Sequence, residues 1–377
     1  MNIVILSGSF YPSIHPRAFR ATELAKEFVR VGHQVTEITC KSIKEFDYEE
    51  YSRNTGIEII KLDVFRKNRV AEVATHKKTP LFKIKRFLIE YLLCGNLFNY
   101  GKEISYKLSK LECWNKADMV VVLSTPFPCH YGFYKFVKKR EHFFVTIFDS
   151  GDPFYYSKQT NRAIWFKYIE KNVYKCCDFL TIPTANAIHL YSPLIPEDKI
   201  KIIPQGFNMR DLNLYKGEFG TPVKMAYAGV FYWDIRNPEF LFEALENSPV
   251  DYEFYLFMRY KDGKLEEVLE KYPRLKSQMH IHLCVPHDDL ISELSKMHFL
   301  INIENLSNTQ MPSKLIDYGM TGRPVLSCNE KNFELAKLER FLHGDYTGQY
   351  EVNIDEYNIE LIAKKFINLY KISKAGA

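Results

Sequence analysis

The 377-residue sequence predicts an α/β chain built as two doubly wound halves. Three observations carry that reading. Short apolar runs alternate with amphipathic segments, the pattern of buried parallel strands covered by helices on both faces. The alternation begins again near Val223. The length suits two domains of ordinary size.

Taken in order, NIVILS is the first strand, PRAFRATELAKEFVRVG the first helix with Gly32 in the C-cap position, and HQVTEIT the second strand. DMVVVLS, HFFVTIF, DFLTIP and KIKIIP follow as further short strands, with PCHYGFYKFVKKR and NRAIWFKYIEKNVYKCC as amphipathic partners. The second half reads VKMAYAGV, RNPEFLFEALEN, DYEFYLF, GKLEEVLEKY, MHIHLCV, DLISELSK and HFLINIE. Then comes MPSKLIDYGMTGRPVLS (Met311–Ser327), where Pro312 suits a first helical turn and Gly319, Gly322 and Pro324 stop the helix before a strand. A final helix near 356–373 is expected to cross back to the first half. The reading places domains at 1–206 and 207–355, with 356–377 as the returning helix. Ligands of such sheets bind outside the carboxyl ends of the strands, so the expected site is a cleft between the halves.

Composition narrows the function classes. Hydrophobic residues at 46% and charged residues at 26% are those of a globular protein. MNIVILSGSFYP reads as a strand and turn, not as a signal peptide, and no apolar run approaches the ~20 residues of a membrane span. The eight cysteines form no Cys-x-x-Cys pair, which argues against a zinc site or disulfide framework and for a reducing cytoplasm. No GxGxxG follows the first strand and no Walker pattern occurs, so a dinucleotide-dependent oxidoreductase and a P-loop enzyme are disfavoured. Net charge is +5, yet residues 66–110 carry eleven Lys/Arg against three Glu, a local +8. Within that stretch PLFKIKRFLIEYLLCGNLFNY reads two ways: a basic amphipathic helix lying on an anionic membrane surface, or a helix packed on its own sheet. Nucleic acid explains the patch less well, because no recognised motif accompanies it.

PSKLIDYGMTGRPVLS resembles the segment of GT-B glycosyltransferases, notably family 4, in which a loop and helix hold a nucleotide diphosphate and an acid binds the ribose. IPQGFN (Ile203–Asn208) looks like that family's domain-junction turn, and AYAGVFYWDIRNPEFLFEAL (Ala226–Leu245) its glycine-containing strand, basic residue and helix. FDSGDPF (Phe148–Phe154) and EKNVYKCCDFLTIPT resemble acidic landmarks of one branch. The departures are specific. Thr309 stands where family 4 has its first acid, Val230 where a second diphosphate-binding base is expected, and SIHPR replaces the glycine-glycine loop after the first strand.

The resemblance implies a GT-B fold of two Rossmann-like domains facing across a cleft. It further implies a retaining, metal-independent glycosyltransferase that needs no cofactor. The donor is a nucleotide diphosphate sugar, on UDP or GDP, and the acceptor a glycan or polyprenyl-linked sugar of surface polysaccharide assembly. The expected location is cytoplasmic or peripheral on the inner face of the cytoplasmic membrane. Donor contacts carried over are Gly8, His15, Arg17, Gly229, Arg236, Thr309, Met311, Pro312, Ser313, Lys314, Leu315 and Asp317; catalytic candidates are Asp152, Asp149 and Arg236. Each has a plainer reading. Arg236 before a helix start is disfavoured by the dipole unless an anion lies nearby, but also suits a solvated surface. Ser313 and Lys314 suit a phosphate cradle or an ordinary helix start, and Asp317 a ribose contact or a surface acid. Asp152, favoured over Asp149 as acceptor contact, equally closes an Asx-turn. His15 and Arg17 reach towards phosphate or simply begin a helix, and His130, His282 and His287 are expected to be structural. Two rival functions remain: a catalytically decayed GT-B-shaped binding or partner protein, and a GT-B-like sugar-nucleotide epimerase.

Overall fold

A computed structural model describes residues 1–13, 15–65, 89–94, 96–138, 140–157, 162–210, 212–304 and 314–375. The chain divides into two compact units, Met1–Asn208 with Glu356–Ala377, and Met209–Asp355.

The first unit is a seven-stranded parallel sheet in the order β3-β2-β1-β4-β5-β6-β7. Its strands are β1 (Asn2–Ser7), β2 (Gln34–Thr39), β3 (Ile57–Lys61), β4 (Met119–Leu123), β5 (Val145–Asp149), β6 (Phe179–Ile182) and β7 (Ile200–Ile202). The central strands β4, β5 and β6 are buried at every position, which is why they read as unbroken apolar runs. Helices α1 (Pro16–Arg30), α2 (Tyr48–Thr55), α3 (Leu97–Leu108), α4 (Pro128–Val137), α5 (Trp165–Tyr174) and α6 (Ile188–Tyr191) connect them, and α13 (Ile359–Ala375) closes the unit. One face packs Ala21, Leu24 and Phe28 of α1 with Ile362 and Phe366 of α13. The other packs Ile104, Phe133 and Phe166 from α3, α4 and α5. A fully buried face on each side is the doubly wound arrangement.

Two elements here go beyond the sequence reading. Asp47 caps α2 by accepting the amides of Glu49 and Glu50 at 3.0 Å, and Gly56 at φ 72° ends it and leads into β3. α2 is short and largely polar, and β3, IEIIK, is only five residues long, so neither periodicity stands out.

The second unit is a five-stranded parallel sheet in the order β10-β9-β8-β11-β12. Its strands are β8 (Val223–Ala228), β9 (Tyr252–Met258), β10 (Met279–Leu283), β11 (Phe299–Ile303) and β12 (Val325–Cys328). Between and after them run α7 (Glu239–Glu246), α8 (Gly263–Leu269), α9 (Pro273–Ser277), α10 (His287–Ser295), α11 (Lys314–Thr321) and α12 (Leu335–Leu342). Leu241, Phe242, Leu265 and Phe341 cover one face; Leu294, Leu315 and Tyr318 cover the other. The helix expected within Met311–Ser327 is α11, ended by Gly322 at φ 67°; Pro312 lies outside the described residues. No helix among the described residues is long and apolar enough to cross a membrane. Most of the basic stretch at 66–110, namely 66–88, lies outside them.

Candidate functional site

In the second unit the carboxyl ends of β8 and β11 meet the start of α11. Tyr318 makes that junction rigid: its hydroxyl accepts the Ala228 amide at 2.8 Å and donates to the Ile301 carbonyl at 3.1 Å. One helix is thus tied to the ends of two strands, with Lys314 on its first turn. Gly229, directly after β8, has φ 135°, a conformation that disfavours any side chain. Its amide still pairs with Phe257 at 2.9 Å, so the chain turns sharply there without losing the ladder bond.

Two cations converge on Tyr227. Lys314 Nζ lies 4.2 Å from the ring centroid and 3.4 Å from the Ile303 carbonyl, while Arg236 Nη1 lies 3.4 Å from both the Tyr227 hydroxyl and the Val230 carbonyl. Burial drives the Lys314 pKa well below its ordinary value, and the neighbouring Arg236 charge pushes it further. Among the described residues Lys314 forms no ion pair. Two cations in one desolvated corner form a pre-built place for an anion. Val230 supplies no base here; the second cation beside Tyr227 is Lys314, brought in by α11.

Asp317 is half-buried one turn beyond Lys314, and Leu315 is buried against the sheet. Thr309, Met311, Pro312 and Ser313 lie outside the described residues.

In the first unit the ends of β1, β4 and β5 gather a different cluster. The Asp149 carboxylate receives Arg20 Nε and Nη2 at 2.8 Å each, the Thr181 hydroxyl at 2.6 Å, and Arg17 Nη2. Arg17 Nε also donates to the Ser124 carbonyl at 2.7 Å, and Arg20 reaches the carbonyls of Ile203 and Pro204. Burial works to raise the Asp149 pKa, but the two guanidinium groups and the Thr181 bond outweigh it and hold the carboxyl well below the usual range. With its oxygens so occupied and the residue 1% exposed, Asp149 acts as a brace, not as a base facing an acceptor. Arg17 likewise spends Nε and Nη2 inward on Ser124 and Asp149, the physical reason it is drawn away from a phosphate-facing role.

Other predicted residues fall as follows. A side chain at Gly8 would meet Pro126 Cδ at 2.2 Å, so close packing of two loops accounts for that glycine. His15 is the exposed N-cap of α1, its Nδ1 accepting the Arg17 amide at 3.2 Å. Asp152 is exposed in the loop after β5, and Ser150 Oγ donates to its carbonyl at 3.0 Å. That loop is anchored from below by Glu170, whose oxygens accept the amides of Phe154 at 3.0 Å and Tyr155 at 2.8 Å. His130 is fully buried, its Nε2–H donating to the Val122 carbonyl at 2.7 Å, with burial pulling its pKa down to about 3, which suits a structural role. Among the described residues no group of three or more His, Cys, Asp or Glu is placed to hold a metal ion.

Sequence reasoning missed Tyr227, Tyr318 and Arg20. The i, i+3 spacing of Arg17 and Arg20 on α1 was a legible signal of a shared helix face. The two tyrosines carry no signal beyond apolar periodicity.

No protein-family model and no curated protein matches the chain. Solved structures do. A glycosyltransferase from Rickettsia africae is similar over 98% of this chain and 97% of its own at 14% identity and TM-score 0.61. The lipopolysaccharide outer core galactosyltransferase WaaB is similar over 99% and 100% at 11% identity and TM-score 0.61. Sucrose-phosphate synthase from Thermosynechococcus elongatus is similar over the full length of both chains at 13% identity and TM-score 0.63. At such identities the likeness is one of fold: two Rossmann-like units, the GT-B architecture.

Proposed function

We propose that the protein is a glycosyltransferase that moves a sugar from a nucleotide diphosphate donor to a glycan or lipid-linked acceptor in surface polysaccharide assembly. The observation that carries this reading is the pair Arg236 and Lys314 around Tyr227, a desolvated double cation suited to a diphosphate. The shared fold with glycosyltransferases supports it.

In the proposed mechanism, Arg236 and Lys314 neutralise charge as it develops on the departing diphosphate, and Asp317 holds the ribose. Fixed cations in a dry corner act without reorganising, which is where such stabilisation is strongest. Configuration is retained and no metal takes part. The first unit takes the acceptor, with the exposed Asp152 as its hydroxyl contact or general base. UDP or GDP is the donor base, and the protein works in the cytoplasm, at the inner membrane face where its acceptor is lipid-linked.

The test is thermal unfolding with UDP, GDP, CMP and dTDP, on the natural protein and on Asp317→Ala. A ligand at ~100 times its Kd adds about 2.7 kcal/mol of stability. A shift with one nucleoside diphosphate that Asp317→Ala removes supports the reading; no shift with any of them refutes it. Product analysis with the matching nucleotide sugar then separates transfer from epimerisation and from binding without turnover.

A further inference from the structure

The second sheet ends on one side in a strand to which no further strand among the described residues is paired. β10 lies at the edge, paired only with β9. The amide of Phe254 bonds the Gln278 carbonyl and the Cys284 amide bonds the Met258 carbonyl, each at 2.9 Å. In a strand, alternate residues turn their backbone groups to alternate sides. The groups of Gln278, His280, His282 and Cys284 therefore face β9, and those of Met279, Ile281 and Leu283 face outward. Among the described residues no backbone group bonds to these three.

His280, Ile281, His282, Leu283 and Cys284 are all exposed, with Ile281 and Leu283 each at 46%. From Gln278 to Val285 there is no charge and no proline. Edge strands are ordinarily guarded by exactly those devices. The opposite edge is guarded: the Tyr350 amide bonds the Val325 carbonyl of β12 at 2.8 Å. Both side-chain stripes of β10 are also ordered for continuation. His280 stacks on Tyr255 at 4.7 Å and His282 on Phe257 at 5.1 Å, on one face, while Ile281 and Leu283 form an apolar row on the other.

We propose that β10 is a self-pairing edge, to which β10 of a second copy adds antiparallel about a two-fold axis through Ile281. The argument for a second copy is complementarity. Centring on Ile281 brings all three outward residues into hydrogen-bonded pairs, Ile281 with Ile281 and Met279 with Leu283 in both directions. No like charges meet, and an isologous contact closes at two chains. His280 then lies opposite His282, so the aromatic and apolar stripes each run on across the joint. A continuous ten-stranded sheet results. The short contact predicts a dimer of micromolar affinity, weaker than interfaces of standard size.

Sedimentation equilibrium of the full chain from about 1 to about 200 µM tests this. The natural protein is expected to pass from monomer to dimer. Ile281→Lys is expected to stay monomeric, and so is Ile281→Pro, which deletes an outward donor without touching the β9 ladder. Both should keep the melting temperature of the natural monomer, so a failure to fold is distinguishable from loss of pairing. In a Cys284→Ser background, Ile281→Cys should self-crosslink under mild oxidation and Leu283→Cys should not. A natural protein that stays monomeric throughout overturns the proposal, as does a dimer that survives both Ile281 variants or crosslinks through Leu283→Cys as readily as through Ile281→Cys. None of these outcomes depends on the nucleotide reading.

Discussion

Replacing Lys314 by methionine separates binding from stability. The natural side chain puts its amine in a desolvated corner beside Arg236, where burial and that neighbouring charge lower its pKa, with no ion pair among the described residues. Methionine of similar length removes the charge and keeps the packing on Tyr227. The ligand-free protein should therefore hold or gain stability. A diphosphate, by contrast, loses a neighbouring cation. Two charges about 4 Å apart at an effective dielectric near 20 interact by roughly 4 kcal/mol, so the loss is about 2–4 kcal/mol, or ~30- to ~1,000-fold in Kd.

The sign of the protonation change gives a second readout. Since the Lys314 pKa in the folded protein is lowered, the native state holds fewer protons than the unfolded chain between that lowered value and 10.5, and stability rises with pH in that window. A bound diphosphate raises the pKa back, so binding takes up protons there. Calorimetry of UDP and GDP binding in buffers of different ionisation enthalpy measures the uptake. Unchanged affinity in Lys314→Met, or affinity lost together with more than about 2 kcal/mol of stability, refutes the reasoning.

Three further outcomes are expected. Glu37 is fully buried, with one oxygen accepting Ser7 Oγ and the other unpartnered, and burial pushes its pKa up to about 8. The native state then holds a proton that the unfolded chain releases above 4.5, so stability falls between those values as pH rises, by about 5 kcal/mol in all. Glu37→Gln should flatten that fall in urea unfolding at pH 5 to 9; an unchanged profile counts against it. Asp149→Asn leaves the buried Arg20 and the partly buried Arg17 without a carboxylate and should lose about 3–5 kcal/mol, while the natural protein keeps this contribution above pH 3.8 and loses it as acid carries Asp149 through its depressed native pKa. Chemical denaturation of the variant at pH 7 with no loss would exclude the bracing role. Tyr318→Phe strands the Ala228 amide and should lower stability by about 1–3 kcal/mol, and also weaken the nucleotide-induced melting shift because α11 loses its tie to β8. A full shift in that variant would mean Lys314 does not need the tie.

What the sequence made legible follows the strength of burial. β4, β5 and β6 are buried at every residue and announced themselves as apolar runs, whereas the capped α2 is mostly polar and the short β3 is only partly buried, and neither did. The candidate residues divide for a different reason. Lys314, Arg236 and Asp317 were named from local pattern, but the partnership of Lys314 with Arg236 depends on Tyr318 binding one helix to two strands, a fact held in no local window. Asp149 shows the converse failure. An acid at a strand end in the expected site looks the same whether water or two arginines receive it, and only the fold sets Arg17 and Arg20 of α1 against it. The exposed neighbour Asp152, two residues on, keeps an unbraced carboxylate because the chain has already turned out of the sheet at Ser150 and Gly151. Periodicity can place a charge at the mouth of a site. Whether that charge is spent on the scaffold or left for a ligand is decided by partners distant in sequence, as Arg17 and Arg20 decide it for Asp149.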